Sequence, residues 1–413
     1  MRWIGLVGWA LVWGQDTVRY TVEQVERLFL ERNLLLIAQK LRIDAEKALV
    51  WQARLWPNPQ LTIDQVDVFT HAKGPLPPFL ETPRINQVAG SLSQTLLTAR
   101  KRLKGIALAE ASVRLQEAAL AELLRQLRND LRLVVYGLAR DEFLLALIAE
   151  QASLLESLAR RYRGLSQSGL VPLPEYLRME NLALQVQADL RSVRQRWEEG
   201  QHNLRRFLHL EAGSSVLWID TTGLAAALAK ELPPLDTLLS WVSSRPDVRL
   251  ARAQGEYARR SLELEKALAI PNVDAVVTYD RLGGYRFPQW GVGFSTAVPV
   301  FNRNQGRILA ARKALEASQA ELEAAYLTAQ SEVLWAWRNY QVVRGQWERT
   351  DPGLLERYRQ AEAAYRENLL AGRVSFLAYV DFFQSYRDLV SKIADLWYAY
   401  QAAWNQISYA TGR

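Results

Sequence analysis

Residues 162–177 (YRGLSQSGLVPLPEYL) and 365–380 (YRENLLAGRVSFLAYV) align at an offset of 203 (365 less 162). The alignment keeps Tyr162 with Tyr365, Arg163 with Arg366, Gly169 with Gly372, Val171 with Val374 and Tyr176 with Tyr379. Self-similarity at a long period marks a tandem duplication, so the fold must accommodate one plan twice. Other landmarks recur near the same spacing. Pro57-Asn58-Pro59 and Pro271-Asn272-Val273 each close a helical stretch and open an alternating one, and Leu92-Ser93-Gln94-Thr95-Leu96 is echoed by Phe294-Ser295-Thr296-Ala297-Val298. The repeats are expected at 15–210 and 236–413, with a linking segment at 211–235.

Within each copy the dominant pattern is a long helix. From about Arg100 to Leu165 there is no proline and almost no glycine, and Leu120, Leu124, Leu127, Leu131, Val134 and Leu138 alternate at spacings of four and three. That spacing is a coiled-coil seam. In the second copy Leu322, Tyr326, Ala329, Val333, Ala336, Tyr340, Val343 and Trp347 repeat it with smaller residues. Some 65 helical residues extend roughly 100 Å, more than a compact domain needs. Two shorter helices are expected, at Thr21–Trp56 and about Glu175–Leu210, which end to end would match the long one and build a tall rod. The long helices turn back at tips near 166–174 and 370–375.

Four short strands interrupt this pattern, Gln60–Phe69 with Asn86–Leu97 and Asp274–Leu282 with Gln289–Val300, placing the strand pairs within 60–97 and 274–300. In the second strand Val88, Leu92 and Leu96 share one face, and Ala89, Ser91, Ser93 and Thr95 the other. In the fourth, Trp290, Val292, Phe294 and Val298 oppose Gly291, Gly293, Ser295 and Ala297. Apolar residues on one side and small polar residues on the other is the pattern of strands that cross an outer membrane. Four strands cannot close a barrel alone, and lipid does not tolerate open edges, so closure requires other chains. Phe69, Phe79, Tyr285, Phe287 and Phe301 near the strand ends suit an interfacial girdle.

Composition and motifs remove other function classes. The chain has no cysteine, so it offers no disulfide framework, thiol nucleophile or Cys-based zinc site. Its three histidines are His71, His202 and His209; the last two, seven apart, cannot chelate one ion as an i, i+4 pair could. The net charge of +7 is spread along helices among glutamates, without a basic stripe or a helix-turn-helix, RNP or zinc-finger pattern, which excludes a nucleic-acid partner. Nothing pairs a nucleophile with a base or forms a phosphate loop, so no enzyme, cofactor or metal site is expected. The first 14 residues, MRWIGLVGWALVWG, have the shape of a short secretory signal. No uncharged apolar run of transmembrane-helix length follows; Leu131–Ala149 is interrupted by Arg132, Arg140, Asp141 and Glu142.

From Thr21 to about Ala410 the chain resembles the TolC-like outer-membrane efflux proteins, and among them the CzcC-like branch. The resemblance rests on Pro57-Asn58-Pro59, Ser244-Arg245-Pro246-Asp247, the stretch FSTAVPVFNRNQG at Phe294–Gly306, and the paired tips with Gly169 and Gly372. It implies a mainly α fold with a small membrane β-barrel: a homotrimer in which each chain gives four strands to a shared twelve-stranded barrel and its coiled-coil hairpins to a periplasmic tunnel. It implies as partners the outer-membrane lipid, a periplasmic adaptor and an inner-membrane pump of the resistance-nodulation-division type. Function would then be a passive exit duct in the cell outer membrane, and the CzcC-like branch favours divalent metal cations as cargo, although drug exporters share the fold. An envelope-associated coiled-coil scaffold and a type I protein-secretion duct are the alternatives; the scaffold would not need lipid-facing strands.

The same resemblance makes Gly169-Leu170-Val171 and Gly372-Arg373-Val374 the expected adaptor contacts, with Leu170 and Val171 exposed. Glycine permits the chain reversal, and Pro172 and Pro174 suit the first turn of the returning helix. The family also constricts its tunnel with carboxylate rings, which match Glu175 and Asp381 here; Ala378 stands where a further acid would be. Arg178 and Arg373 are the expected partners of these carboxylates.

Overall fold

The computed structural model describes residues 19–67, 87–211, 216–220, 232–281 and 287–413. The expected signal segment, His71, Phe69, Phe79, Tyr285 and much of the linking segment lie outside these residues. In chain order the elements are β1 (Arg19–Tyr20), α1 (Val22–Arg32), α2 (Leu34–Arg54), β2 (Gln60–Asp67), β3 (Gln87–Leu96), α3 (Lys101–Gln167) and α4 (Leu173–Leu208). There follow β4 (Trp218–Ile219), α5 (Leu235–Ser240), a 3-10 turn at Trp241–Ser244, α6 (Pro246–Leu268), β5 (Val273–Arg281), β6 (Gln289–Thr296), α7 (Gln305–Arg349), α8 (Leu354–Leu370) and α9 (Phe376–Thr411). The chain forms two compact units, and each draws on both repeats. One holds the residues up to Ile37, Leu123–Arg245 and Thr328–Arg413; the other holds Ala38–Glu122 and Pro246–Leu327.

The first unit is helical. Its core joins α3, from Leu144 to Tyr162, with α4 (Met179, Leu182, Val186), the end of α8 (Leu369) and α9 (Tyr379, Phe383, Val390). The α7 seam is buried at Ala329, Val333, Ala336 and Tyr340, as its four-three spacing requires, while Leu322, Val343 and Trp347 are only partly covered. On α3, Leu131 and Leu138 are buried, but Leu120, Leu124, Leu127 and Val134 are half-exposed. Arg245, from the Ser-Arg-Pro-Asp motif, is itself buried; its Nη1 donates to the carbonyl of Ala410 at 3.0 Å and its Nη2 to Glu332 at 2.5 Å. It therefore covers carbonyls at the end of α9, where α-helices leave acceptors unsatisfied.

Two expectations about helix continuity are corrected. Thr21–Trp56 is two helices, because the Asn33 side chain takes over the backbone bonding: its Oδ1 accepts from the N–H groups of Leu35 and Leu36 at 3.0 and 3.2 Å, starting α2, while its Nδ2 donates to the Phe207 carbonyl at 3.0 Å. A short polar side chain competing with the backbone is the physical cause. In the second copy, the counterpart of the unbroken α3 stops at Arg349 and restarts at Leu354. Pro352 lacks an N–H there, and the Asp351 carboxylate accepts from the Gly353 N–H at 2.8 Å and pairs with Arg357.

A parallel pair, β1 with β4, lies in the same unit. Gln201 holds Leu217 through both its amide atoms, donating to the carbonyl at 2.7 Å and accepting from the N–H at 3.3 Å. Glu142 of α3 accepts from the Ile219 N–H at 3.2 Å and from the Trp197 indole at 3.5 Å.

In the second unit the four strands form one antiparallel sheet in the order β2-β3-β5-β6. The central pairing of β3 with β5 joins the two repeats, beyond the two hairpins read from sequence. β3 and β6 end earlier than expected, at Leu96 and Thr296. After Thr296 the segment Ala297–Val300 leaves the ladder, consistent with Pro299 having no donor.

Candidate functional site

The sheet separates its residues by chemistry. Leu61, Leu92, Val277 and Val292 are aligned across all four strands, and every one of them is exposed. On the edge strand Trp290, Val292 and Phe294 are 73%, 80% and 75% exposed, and Leu61 on the other edge strand is 75% exposed. Tyr279 packs against Trp290 with ring centroids 4.9 Å apart. The opposite face carries Thr62, Ser91, Thr278 and Gly291 in one row, and in another Thr95 donates to Asp274 at 2.6 Å. An apolar patch spanning four strands on a soluble monomer would be unusual and marks a surface meant for lipid or protein. Among the described residues, edge strands β2 and β6 each pair on one side only, which leaves backbone donors and acceptors to be matched by another chain.

The tips share one hydrogen-bond pattern. At the end of α3 the Leu170 N–H donates to the Leu165 carbonyl at 2.9 Å and the Gly169 N–H to Ser166 at 3.1 Å; at the end of α8 Arg373 donates to Asn368 at 2.8 Å and Gly372 to Leu369 at 3.1 Å. These are Schellman closures, and both place glycine in the left-handed region, with φ of 74° at Gly169 and 69° at Gly372. Returning helices start differently. Ser375 caps α9 through its side chain, whereas α4 begins at Pro172 without a side-chain cap.

Leu170 is 74% exposed, as expected, but Val171 is not a free surface residue: it is partly covered and packs against the hydrophobic core. Val374 is likewise partly covered, and Arg373 is exposed. The sequence reading missed Leu173 and Leu177 beside the first tip and Leu370 and Leu377 beside the second, all exposed. Their leucine identity at turns was the available signal.

Glu175 lies partly buried in the first turn of α4, close enough to Tyr162 that its charge adds to burial in pushing that phenol up. Arg178 and Asp381 are exposed and occupy equivalent positions of the two repeats (381 less 203). Within the chain neither Arg178 nor Arg373 forms an ion pair with Glu175 or Asp381 among the described residues. The charge contacts beside the tips fall on residues that the sequence reading matched in the repeat but gave no role. Arg163 donates to the Tyr176 hydroxyl at 2.9 Å and lies 3.7 Å from Glu180. In the second copy Tyr379 is buried and donates to Glu362 at 3.1 Å, and Arg366 stands 3.8 Å from the same carboxylate. Burial pushes the Glu362 carboxyl up, against the pull of Arg366 and Tyr379. His202 and His209 are exposed, and the described residues contain no cluster of three metal-binding side chains. No described helix is long and apolar enough to cross a membrane.

Residues 240–413 match the family model described as outer membrane efflux protein. Among curated proteins, the pyoverdine export outer membrane protein OpmQ of Pseudomonas putida is 26% identical over 221 residues, an alignment spanning 49% of this chain and 44% of that protein. The alignment thus covers less than half of the relative's length. Solved structures extend the likeness to the whole fold. CusC superimposes with a TM-score of 0.75 at 15% identity, covering 97% of this chain and 95% of its own. CmeC of Campylobacter jejuni gives 0.75 at 13% identity over 98% and 90%, and VceC of Vibrio cholerae 0.71 at 14% over 95% and 96%. At these identities the likeness is one of fold alone.

Proposed function

We propose that the chain is the outer-membrane component of a tripartite efflux system, a passive duct without catalytic chemistry. One observation carries this reading: among the described residues the sheet exposes a four-strand apolar face and leaves two unpaired edges, in a chain whose residues 240–413 match the outer membrane efflux protein model. Three copies joined edge to edge would make twelve strands and remove every edge, which is the condition lipid imposes. The two repeats then supply two hairpin tips per chain. The surfaces at Gly169-Leu170-Val171 and Gly372-Arg373-Val374, widened by Leu173, Leu177, Leu370 and Leu377, suit contact with a periplasmic adaptor and through it an inner-membrane pump. Glu175 and Asp381, which pair with no arginine among the described residues, would meet their symmetry copies and favour cations at a constriction. The Pro-Asn-Pro and Phe294–Gly306 motifs favour the CzcC-like branch, with metal cations as cargo.

Assembly tests the reading directly. The full chain is expected to require detergent for extraction and to scatter light as a trimer; a water-soluble monomer would refute the barrel and leave a scaffold. Once the trimer is in planar bilayers, Asp381→Ala and Glu175→Ala are each expected to raise single-channel conductance and weaken divalent block. Unchanged conductance and block in the double variant would place the constriction elsewhere.

A further inference from the structure

At one end of the sheet the helix termini carry an unusual charge pattern. Pairing of Gln60 with Ser93, Leu96 with Val273 and Val273 with Thr296 brings the start of β2, the end of β3, the start of β5 and the end of β6 to the same end. Consequently α2 and α6 arrive there by their C-termini, and α3 and α7 leave by their N-termini. The helix dipole favours acids at N-termini and bases at C-termini. Here the first turns of α3 and α7 have no acidic residue. Instead Arg100, Lys101, Arg102 and Lys104 surround the start of α3, and Arg303 and Arg307 surround the start of α7, with no Asp or Glu anywhere in 97–109 or 297–315.

The negative helix ends absorb only Arg102 of these bases. Arg102 donates to the Arg54 carbonyl at the end of α2, through Nε at 3.0 Å and Nη2 at 2.5 Å, and lies over the Trp56 ring at 4.8 Å. Near the end of α6, Asn304 donates to the Glu265 carbonyl at 2.8 Å. Lys101 is buried and bonded to Asn272 and Thr98. Arg100, Arg303 and Arg307 remain exposed, with no carboxylate partner among the described residues. Exposed aromatics flank them, Trp56 at 62% and Phe301 at 90%. Bases at two helix N-termini, in both repeats, break a local rule twice, as happens where a ligand supplies the missing charge.

We infer that this end of the sheet binds the phosphate of anionic phospholipid headgroups. A phosphate meets a helix N-terminus and arginine side chains in the geometry that both favour. Basic residues immediately beside a membrane-spanning segment attract anionic lipid, and aromatics settle at the same depth. The inference rests on the barrel reading, since it places this end at the lipid boundary on the helix side.

Native mass spectrometry of the detergent-solubilised full-length protein, titrated with phosphatidylglycerol or phosphatidylcholine, tests it. Each base near an anionic surface strengthens attraction about fivefold, so phosphatidylglycerol is expected to bind at least about tenfold more tightly. The preference should collapse in the Arg100→Gln/Arg303→Gln/Arg307→Gln variant. If that variant does not assemble, Arg303→Gln and Arg307→Gln singly should each reduce the preference severalfold. Equal binding of the two lipids by the unaltered protein, or an undiminished preference in the variants, would overturn the inference. Flotation with vesicles of phosphatidylcholine alone separates the two levels. Insertion there without any phosphatidylglycerol preference overturns only the headgroup site, whereas failure to insert into vesicles of either lipid refutes the barrel and the site together.

Discussion

Glu142 offers a quantitative test of the packing around β1 and β4. Burial pushes its carboxyl up from 4.5 to about 7, against the opposing pull of the Ile219 N–H, the Trp197 indole and Arg19. Between those two values the folded protein holds a proton that the unfolded chain has released. Stability from this group is therefore complete below about pH 4.5 and is lost as pH rises through about 7. At about 1.4 kcal/mol for each tenfold change in the protonation equilibrium, lifting the carboxyl to about 7 corresponds to roughly 3 kcal/mol. Partial exposure of the side chain screens some of this, leaving about 1 to 3 kcal/mol. Glu142→Gln keeps an acceptor for the Ile219 N–H but cannot ionise. In urea titrations followed by near-UV circular dichroism, the variant should gain about 1 to 3 kcal/mol on the unaltered protein between pH 5 and pH 8. Other carboxylates titrate equally in both proteins and cancel in the difference. Parallel profiles would show that Glu142 is solvated and that the polar contacts to Ile219 and Trp197 do not desolvate it.

Valine at Gly169 or Gly372 must adopt a positive φ at a cost of about 1 to 2 kcal/mol, so faster amide exchange is expected over 165–175 or 368–378, with trimer formation retained. Replacing Arg245 with Met leaves Glu332 and the Ala410 carbonyl without their donor and should destabilise by about 3 kcal/mol in the same urea titration; a loss under about 1 kcal/mol would mean that water replaces it. Ala99 and Arg100 have φ of 52° and 57°. Ala99→Gly relieves one of these and should raise stability by about 0.5 to 1 kcal/mol, whereas a decrease would show that the turn is not strained.

The α3 helix was legible nearly to its ends because sixty-odd residues without proline leave no local competitor to the helix. Strand faces were legible for a related reason: a period of two fixes which residues share a side. Asn33 was not, since an asparagine inside an apolar pattern reads as helix until a partner such as the Phe207 carbonyl is placed within reach. Asp351-Pro352-Gly353 was a readable breaker that the repeat obscured, because its counterpart in the first copy is unbroken helix. At the tips the glycines declared themselves through their repetition, but the burial of Val171 and the bonding of Arg163 to Tyr176 depend on tertiary packing that no spacing encodes.

The pairing of β3 with β5 imposes an order of events on synthesis. β3 ends at Leu96 and its second partner begins at Val273, 177 positions later (273 less 96). At about 5 to 20 residues per second, β3 is complete roughly 10 to 35 seconds before β5 is made. Until then the first hairpin presents one future interior strand as an open edge, with Leu92 and Leu96 on its apolar side. Such an edge is a template for the wrong strand, and a pairing this distant in sequence is slow to close. A chain of this kind thus depends on something shielding β3 during the wait, and the hazard is greatest for the hairpin made first.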